Sequence, residues 1–333
     1  MTVAAVIARL SDGEAPPEGF RGGVVAIGNF DGVHRGHQAV LGTARDIARA
    51  EGRPLICLTF EPHPRTVFNP ERPVPRLTPA PIRARLLGAL GFDAVVEQGF
   101  DKEFAGIEPE DFVRTILVDG LGAAHVVAGF DFHYGSRRAG TPQTLIAAGE
   151  RHGFGATLVP ALQDAGGETI SSSRIRALLE AGEAARAAEL LGYRWTIGGS
   201  VQEGQRLGRT LGYPTANILL MPETMLKFGI YAVRLRRADG TLHDGVASFG
   251  RRPTFDNGAA LFETFLFDFS GDLYGEAVAV SIFGFLRGEE KFESPEALVE
   301  QMKVDEAEAR ACLAGVSPLS PLDQTLTFDG LIT

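Results

Sequence analysis

Several features are scarce in this chain, and each absence narrows what the protein can be. There are only two cysteines in 333 residues, Cys57 and Cys312, and they lie far apart with no CxxC pairing. This excludes a disulfide framework and favours a reducing compartment. No apolar run approaches the roughly 18 residues of a membrane-spanning helix, and no signal-peptide pattern is present. We therefore expect a cytoplasmic protein with no membrane partner.

Basic residues are also fewer than acidic ones. The chain has 32 basic and 42 acidic residues, and the formal net charge is −10. Residues 1–185 carry a charge of −4 and the remainder carries −6, so neither half is basic. This distribution argues against nucleic acid as a partner. A mononucleotide needs only a local positive pocket and is not excluded.

What the first half does contain is an alternation of short apolar runs and amphipathic segments. Because this alternation is typical of strands and helices in turn, it predicts a doubly wound parallel sheet with ligands at the carboxyl ends of the strands. The predicted strands are Val24–Ile27, Leu55–Phe60, Ala94–Glu97, His125–Ala128 and Ala156–Pro160. The predicted helices lie near residues 37–50, 79–90, 108–119 and 142–152.

The pattern changes after a helical stretch at 172–191. Strand-like pieces then dominate, at 195–202, 229–236, 244–249, 261–269 and 276–283, and a final helix spans about 295–313. Regular short strands with turn residues between them predict an antiparallel β-barrel, which the last helix closes. Since 333 residues exceed one ordinary core, we predict two domains, 1–185 and 186–333.

The sequence GNFDGVHRGH at residues 28–37 directly follows the first predicted strand. A strand that enters a glycine-rich turn and then a helix forms a phosphate cradle, because backbone N–H groups converge there. Its two imidazoles, His34 and His37, can each donate a hydrogen bond to a phosphate oxygen. A solvated histidine pair and half of a zinc site are the alternatives. The segment matches neither a Walker loop nor a dinucleotide fingerprint, and it resembles the signature of the α/β-phosphodiester nucleotidyltransferases.

Three further segments follow predicted strands and are candidates to converge on this turn. They are TFEPHPR at 59–65, GFDFHYG at 129–135 and SSSRIR at 171–176. Serines at the start of a helix are often only caps. Arginines in a first helical turn oppose the helix dipole, however, so an anionic ligand explains them better. The aromatic residues at 130, 132 and 134 fit either the core or a surface that stacks on a planar ring.

The second half has its own candidates. Glycines at 198, 199, 204, 208 and 212 predict a flexible flap, and Pro214-Thr-Ala-Asn217 follows it. Thr215 and Asn217 offer two neutral oxygen ligands on one face of an extended segment, which suits a Mg²⁺ bound mainly by ATP phosphates and water. A glycine-rich hairpin with a polar turn is the alternative. Glu263 lies inside an apolar strand, where a carboxylate is costly unless it is paired or employed.

Taken in order, these motifs resemble the prokaryotic bifunctional riboflavin kinase/FMN adenylyltransferases, also called FAD synthetases. The resemblance covers nearly the whole chain, and it includes GRTLGYPTANI at 208–218, RRPTF at 251–255 and ETFLFDFSGDLYG at 263–275. The chain departs from the usual pattern at six positions, which are Tyr213, His133, Tyr134, Thr141, Ser248 and Phe249.

The resemblance implies that the first domain transfers AMP from ATP to FMN. His34 and His37 would then be catalytic and stabilise the triphosphate. The other ATP- and phosphate-binding residues implied there are Gly28, Asn29, Asp31, Gly36, Ser172, Arg174 and Arg176, and the flavin-binding residues are Arg65, Phe130 and Asp131.

For the second domain the resemblance implies ATP-dependent phosphorylation of riboflavin to FMN. Glu263 would deprotonate the ribityl 5′-hydroxyl, and Thr215 and Asn217 would hold the Mg²⁺ cofactor. Gly204 and Arg209 would bind ATP, and Arg252 and Thr254 would bind the flavin. The expected partners are thus riboflavin, FMN and ATP. Two alternatives remain, an enzyme with one working half and a flavin-binding sensor without turnover, and self-association is left open.

Overall fold

The computed structural model describes residues 8–10, 18–203, 213–220, 224–251 and 260–329. The chain divides into two compact units, Met1–Ser172 and Ser173–Thr333. The two units therefore meet at the start of the helix Ser172–Ala181. We predicted the boundary after that helix, at 185/186. That helix packs within the second unit, where the Leu179 carbonyl accepts a hydrogen bond from the Lys227 N–H at 3.1 Å.

The first unit contains a six-stranded sheet in which every pair of neighbouring strands is parallel. The strand order is β1-β4-β3-β2-β5-β6. The strands are β1 Ala8–Leu10, β2 Val24–Ile27, β3 Leu55–Glu61, β4 Ala94–Gly99, β5 His125–Gly129 and β6 Gly155–Val159. The parallel sheet is confirmed, and β1 is an additional strand that we did not predict. The chain moves outward from β2 to β4 and then crosses to β5, so the switch point lies between β2 and β5.

Helices connect these strands, as expected for a doubly wound sheet. They are α1 Arg35–Glu51, α2 Pro64–Phe68, α3 Ala80–Ala89, α4 Pro109–Phe112 and α5 Pro142–His152. The predicted helix at 108–119 begins as α4 and continues as a π-helix, Val113–Gly120. Short 3-10 helices occur at Glu18–Phe20, Phe104–Gly106 and Ser136–Arg138.

The second unit begins with two helices, α6 Ser172–Ala181 and α7 Ala184–Leu191. Six antiparallel strands follow in the order β7-β12-β9-β10-β11-β8. They are β7 Thr196–Ser200, β8 Thr215–Leu219, β9 Gly229–Arg236, β10 Leu242–Arg251, β11 Ala260–Leu266 and β12 Ala277–Arg287. Beyond β7, the Gln202 N–H donates to the Asn217 carbonyl of β8 at 2.8 Å. This contact joins the two edge strands, so the predicted barrel is confirmed as a nearly closed one.

The closing helix has the predicted bounds, α8 Pro295–Leu313. It lies against β9, β10 and β12, where Ala309 and Leu313 join a buried cluster with Ala232, Phe267 and Phe283. No helix in the described part of the chain is long and apolar enough to cross a membrane.

A buried ion pair attaches the segment after α8 to the barrel. This segment contains α9, Pro321–Asp323, and a π-helix, Gln324–Phe328. The fully buried Asp323 carboxylate accepts hydrogen bonds from the Arg194 guanidinium, from the Arg194 backbone N–H at 2.9 Å and from the Thr327 hydroxyl at 3.1 Å. The Arg194 guanidinium also lies 4.9 Å from the centre of the Phe283 ring. The pair therefore anchors the C-terminal segment through one carboxylate.

We predict that Asp323→Ala lowers the free energy of unfolding of the second unit by about 3–5 kcal/mol, because it leaves a buried guanidinium uncompensated. Urea unfolding followed by the fluorescence of Trp195, the single tryptophan, measures this directly. The control is Lys303→Ala, which breaks an exposed pair with Glu300 and should change the same quantity by less than about 1 kcal/mol. Equal effects of the two substitutions would refute the anchoring role of Asp323.

Candidate active sites

The turn that follows β2 has a strained backbone. It runs from Gly28 to Val33, and α1 begins just after it with His34 as the N-cap residue. Phe30 and Val33 adopt positive φ angles of 46° and 37°, a region that side chains other than glycine rarely occupy. Strain of this kind is concentrated at functional sites. The turn also delivers the N–H groups of the first turn of α1 to the carboxyl edge of the sheet, where an anion is favoured.

His34 and His37 form a stacked pair at the start of α1. Their ring centroids are 3.6 Å apart and the rings are nearly parallel, at 15°. His34 Nδ1 accepts a hydrogen bond from the His37 backbone N–H at 3.2 Å, so the neutral His34 ring carries its proton on Nε2. His37 Nδ1 is enclosed and has no hydrogen-bond partner within the described residues. The pair can thus present ring N–H donors at the helix start.

Burial, and secondarily the neighbouring His34, hold the pKa of His37 well below its ordinary value. Two stacked imidazoles that are charged together would repel one another, and a desolvated cation is unfavourable. Within the described ranges, no group of three or more His, Cys, Asp or Glu side chains is arranged to hold a metal. The part of the chain that the structure describes therefore offers the pair no partners for a zinc site.

Asp31 and Ser172 hold the turn in place. The buried Asp31 carboxylate accepts hydrogen bonds from the backbone N–H groups of Leu77 and Thr78, at 3.3 and 3.0 Å. The Gly32 N–H donates to the Thr78 hydroxyl at 2.8 Å, and the Ser172 hydroxyl donates to the Asp31 carbonyl, also at 2.8 Å. Since a carboxylate offers no donor to a phosphate, this geometry assigns Asp31 a structural function in the turn.

Arg174 and Arg176 follow Ser172 in the first turns of α6. The side chain of Arg176 is buried with 7% exposure, and Arg174 is half-buried. Both belong to the second compact unit, so their role as phosphate ligands stays a prediction.

The predicted flavin residues of the first unit lie near the carboxyl ends of β3 and β5. Arg65 is exposed in α2, and Asp131 and Phe130 are exposed after β5, with Phe130 at 51%. Phe132 and Tyr134 differ from Phe130, because their rings stack at 5.7 Å and belong to the core or its margin. The three aromatics therefore separate into two core residues and one exposed ring.

In the second unit, strand register brings the predicted kinase residues together. Asn217 of β8 lies directly opposite Glu263 of β11, and Thr215 lies opposite Phe265. Cross-strand partners project from the same face of a sheet, so Thr215, Asn217 and Glu263 share one face. Phe262 and Thr264, which alternate with Glu263, are completely buried on the other face. Glu263 therefore lies on the outer wall of the barrel, the wall on which Phe265 packs beside α8.

The amide oxygen of Asn217 is the notable atom of this face. The side chain is 4% exposed, and Oδ1 has no hydrogen-bond partner among the residues that the structure describes. A buried amide oxygen is normally satisfied, so this atom points to a ligand or an ion. Four predicted site residues, Gly204, Arg209, Arg252 and Thr254, lie outside the described residues.

Comparisons with known proteins identify the family of both halves of the chain. The model of the FAD synthetase family matches residues 17–174, and that of the riboflavin kinase family matches residues 191–313. The bifunctional riboflavin kinase/FMN adenylyltransferase of Listeria monocytogenes is 40% identical over 87% of this chain and 92% of its own length. The enzyme of the same name from Pseudomonas fluorescens is 42% identical over 88% and 94%.

The chain belongs to the family of bifunctional riboflavin kinase/FMN adenylyltransferases. The adenylyltransferase domain comes first and the kinase domain second. Among solved structures, a macrolide-efflux protein from Streptococcus pneumoniae has a similar fold, with a TM-score of 0.82 and 32% identity, covering 91% of this chain and 99% of that one.

The adenylyltransferase unit contains one group that sequence reasoning missed. Arg83 is completely buried on α3, and Arg76 lies in the loop before it. Both contact Glu61 at the end of β3, and Arg83 also approaches Glu97 of β4. Two signals in the sequence indicated this group. Glu97 interrupts the apolar run of β4, and Arg83 occupies a helical position three and four residues before the buried Leu86 and Leu87.

One departure from the family pattern has a local explanation. Thr141 occupies the N-cap of α5, where its hydroxyl accepts a hydrogen bond from the Thr144 N–H at 3.2 Å, and the Thr144 hydroxyl completes a capping box. Thr141 is therefore suited to its position, because threonine is a good N-cap residue.

The lowered pKa of His37 predicts a pH dependence of stability. Above its ordinary value of 6.5 the imidazole is neutral in both the folded and unfolded states. Below that pH the unfolded chain takes up a proton that the folded chain does not. The free energy of unfolding of the first unit should therefore fall from about pH 6.5 downward, by up to ~1.4 kcal/mol per pH unit from this residue.

Urea unfolding followed by circular dichroism at pH 7.5, 6.5 and 5.5 tests this, with Trp195 fluorescence identifying the transition of the second unit. His37→Gln should reduce the loss of stability between pH 6.5 and 5.5. An identical pH dependence in the wild type and the variant would show that His37 titrates normally.

Proposed function

We propose that the two activities of the family are carried by separate residue sets, one in each compact unit of this chain. The first unit would transfer AMP from ATP to FMN, with release of pyrophosphate, and the second would phosphorylate riboflavin with ATP. The observation that carries the first half is the strained turn with its stacked histidines. The observation that carries the second is the cross-strand pair of Asn217 and Glu263.

In the first unit, His34 and His37 would donate ring N–H groups to the triphosphate as charge shifts toward pyrophosphate. Two glycines let the backbone of this segment pack closely against neighbouring rings. A Cβ atom on Gly36 would lie 3.1–3.2 Å from the His34 ring, and one on Gly28 would lie 3.1 Å from the Phe30 ring. Side chains at these positions would disturb the rings. Asn29 and Asp31 would shape the turn, and Ser172 would assist near the leaving group. For Arg174 and Arg176, which belong to the second unit, that role is implied by the family resemblance alone.

This step needs no protein nucleophile, because an oxygen of the FMN phosphate attacks the α-phosphorus directly. Positioning and preorganised hydrogen-bond donors then supply most of the acceleration. Phe130, with half of its surface exposed, would stack on the flavin ring beside Asp131 and Arg65.

In the second unit, Glu263 would accept the proton of the ribityl 5′-hydroxyl as it attacks the γ-phosphate of ATP. Asn217 Oδ1 fits a Mg²⁺ ligand, since it is enclosed without a partner in the described ranges, and Thr215 lies on the same face of the sheet. Thr215 and Asn217 would hold the ion, and phosphates and water would supply the other ligands that Mg²⁺ prefers. When bound, the ion neutralises charge on the ATP phosphates. Gly204 and Arg209 would contact ATP, and Arg252 and Thr254 the flavin.

We also propose a cytoplasmic location. Both cysteines are free, and burial raises the pKa of Cys57 to about 12, so this thiol is inert to oxidation. Free thiols favour a reducing compartment.

Incubation with riboflavin and Mg-ATP, followed by chromatography of the flavins, tests the complete proposal. FAD is the expected product. FMN alone would indicate a single working half, and unchanged riboflavin would indicate a sensor or carrier without turnover.

Glu263→Gln tests the kinase half. The amide keeps the size of the side chain but cannot accept the proton, and general-base assistance is worth about 10²- to 10⁴-fold. The rate of riboflavin phosphorylation should fall by that factor, while adenylation of supplied FMN stays unchanged. The control is Glu189→Gln on the exposed face of α7, which should alter neither rate. Normal kinase turnover in Glu263→Gln would exclude Glu263 as the base.

A double variant, His34→Ala with His37→Ala, tests the adenylyltransferase half. Each preorganised donor is worth roughly 2–4 kcal/mol in the transition state, so the variant should convert riboflavin to FMN and accumulate it with almost no FAD. His152→Ala removes an imidazole that pairs with Glu110 on the surface of the same unit and should leave FAD formation intact. Comparable FAD formation by the double variant would mean that the histidine pair is structural.

A further inference from the structure

Four charged side chains form a compact group near the carboxyl ends of β3 and β4. They lie beneath the turn Gly28–Val33, which we call the phosphate turn. We call Arg76, Arg83, Glu61 and Glu97 the arginine–glutamate cluster. The Arg83 side chain is 0% exposed and that of Glu97 is 6% exposed, whereas Glu61 reaches 35%. The cluster thus extends from the interior of the first unit to the edge where the sheet binds its ligands.

Arg83 is the centre of this cluster. Its Nη2 atom lies 3.1 Å from Glu61 Oε2 and 3.4 Å from Glu97 Oε1. Arg76 donates to the same oxygen of Glu61. These guanidinium contacts lower the pKa of Glu61 against the opposing effect of its burial. Charges buried at this depth rarely improve stability over apolar side chains of similar volume. Stability alone therefore does not explain why these four charged residues lie together here.

The cluster touches the turn at the peptide between Asn29 and Phe30. Arg83 Nη1 lies 3.4 Å from the carbonyl oxygen of Asn29, which also accepts a hydrogen bond from the Thr59 hydroxyl at 3.2 Å. The residues after Arg76 reach the turn a second time, since Leu77 and Thr78 bind the Asp31 carboxylate. The cluster and the loop that follows Arg76 therefore hydrogen-bond to the turn on both sides of Phe30, at Asn29 and at Asp31.

Polar atoms at this place still lack partners. Arg83 Nε, Arg76 Nη1 and the amide oxygen of Asn29 are all enclosed, and none has a hydrogen-bond partner within the residues described. Buried donors of guanidinium groups are normally satisfied. These three atoms can therefore bind ordered water or a polar group.

We propose that Arg83 is a positioning residue for adenylyl transfer. Through the Asn29 carbonyl it fixes the peptide from which the turn departs, and so it sets the placement of His34 and His37 relative to the triphosphate. Glu97 and Glu61 hold the guanidinium in the orientation that this contact requires. The inference rests on the proposed role of the histidine turn, and it adds a residue that touches neither substrate nor reacting atoms.

Arg83→Met and Arg83→Lys separate positioning from simple support of the fold. A misplacement of about 1 Å can cost on the order of 100-fold in rate. We expect Arg83→Met to lower kcat for FMN adenylation by about 10- to 100-fold, with a smaller change in KM for ATP, because the misplaced groups act mainly in the transition state. Arg83→Lys should recover most of kcat, since an ammonium group has three donors and can reach both the carbonyl and a carboxylate.

Three controls accompany these variants. Arg85→Met changes an exposed arginine of the same helix and should leave adenylation unchanged. Riboflavin kinase activity, carried by the other unit of the same chain, should be unchanged in every variant. Arg83→Met combined with Glu97→Gln removes one charge of each sign. This double variant replaces Arg83→Met in the test if the single variant does not fold. This double variant should show the same loss of kcat at a temperature where circular dichroism shows it to be folded.

A folded Arg83→Met protein, or the folded double variant, with wild-type kcat for adenylation would overturn the proposal. So would a loss that Arg83→Lys fails to recover. The failure of the histidine assignment is distinguishable, because it requires that the His34, His37 double variant retains FAD formation. If that double variant is inactive while folded Arg83→Met is fully active, only the positioning role is wrong.

Discussion

Backbone groups that lie beyond the end of a buried strand need partners, and the first site depends on how this requirement is met. After β2 the sheet supplies one bond, from the Gly28 N–H to the Leu58 carbonyl at 3.1 Å. Farther along the turn, side chains form the hydrogen bonds to the backbone. Thr59 and Arg83 donate to the Asn29 carbonyl, and the Thr78 hydroxyl accepts from the Gly32 N–H. Buried groups left unpaired would each cost about 1–3 kcal/mol. The strained turn therefore persists because several other loops determine its geometry.

The barrel meets the same requirement in a different way. Its strands pair along their length apart from two register shifts in β12, and the Gln202–Asn217 contact joins the two edges. Most of the backbone of the wall is therefore hydrogen-bonded within the barrel. Side chains can then be brought together by register alone, as Asn217 and Glu263 are. A site on paired strands is more rigid than one on loops. The adenylyltransferase unit has to reach similar rigidity with hydrogen bonds between loops.

Prediction from the sequence succeeded where the determining interactions are local. Val24–Ile27, Pro142–His152, Gly229–Arg236 and Pro295–Leu313 have the predicted bounds, because apolar periodicity, proline and cap residues lie within each segment. The stacking of His34 with His37 was not predicted, although the two residues are only three positions apart at a helix start. The role of Asp31 was not predictable in this way, since its partners Leu77 and Thr78 are distant in sequence. Arg83 was missed for the same reason: its significance depends on Glu61, Glu97 and Asn29 together, and no single pattern contains them.

The electrostatics of the first unit explain how an acidic chain can bind a triphosphate. The arginine–glutamate cluster contains two cations and two anions, and His37 is kept neutral by burial. Apart from Arg35, which is exposed at the first residue of α1, these groups give the turn little net positive charge. Under the proposed function, the turn would offer oriented donors, namely ring N–H groups and the first N–H groups of α1. Because the attraction comes from donors fixed at short range, it does not require a basic surface, and a formal net charge of −10 is compatible with a site for a polyanionic nucleotide.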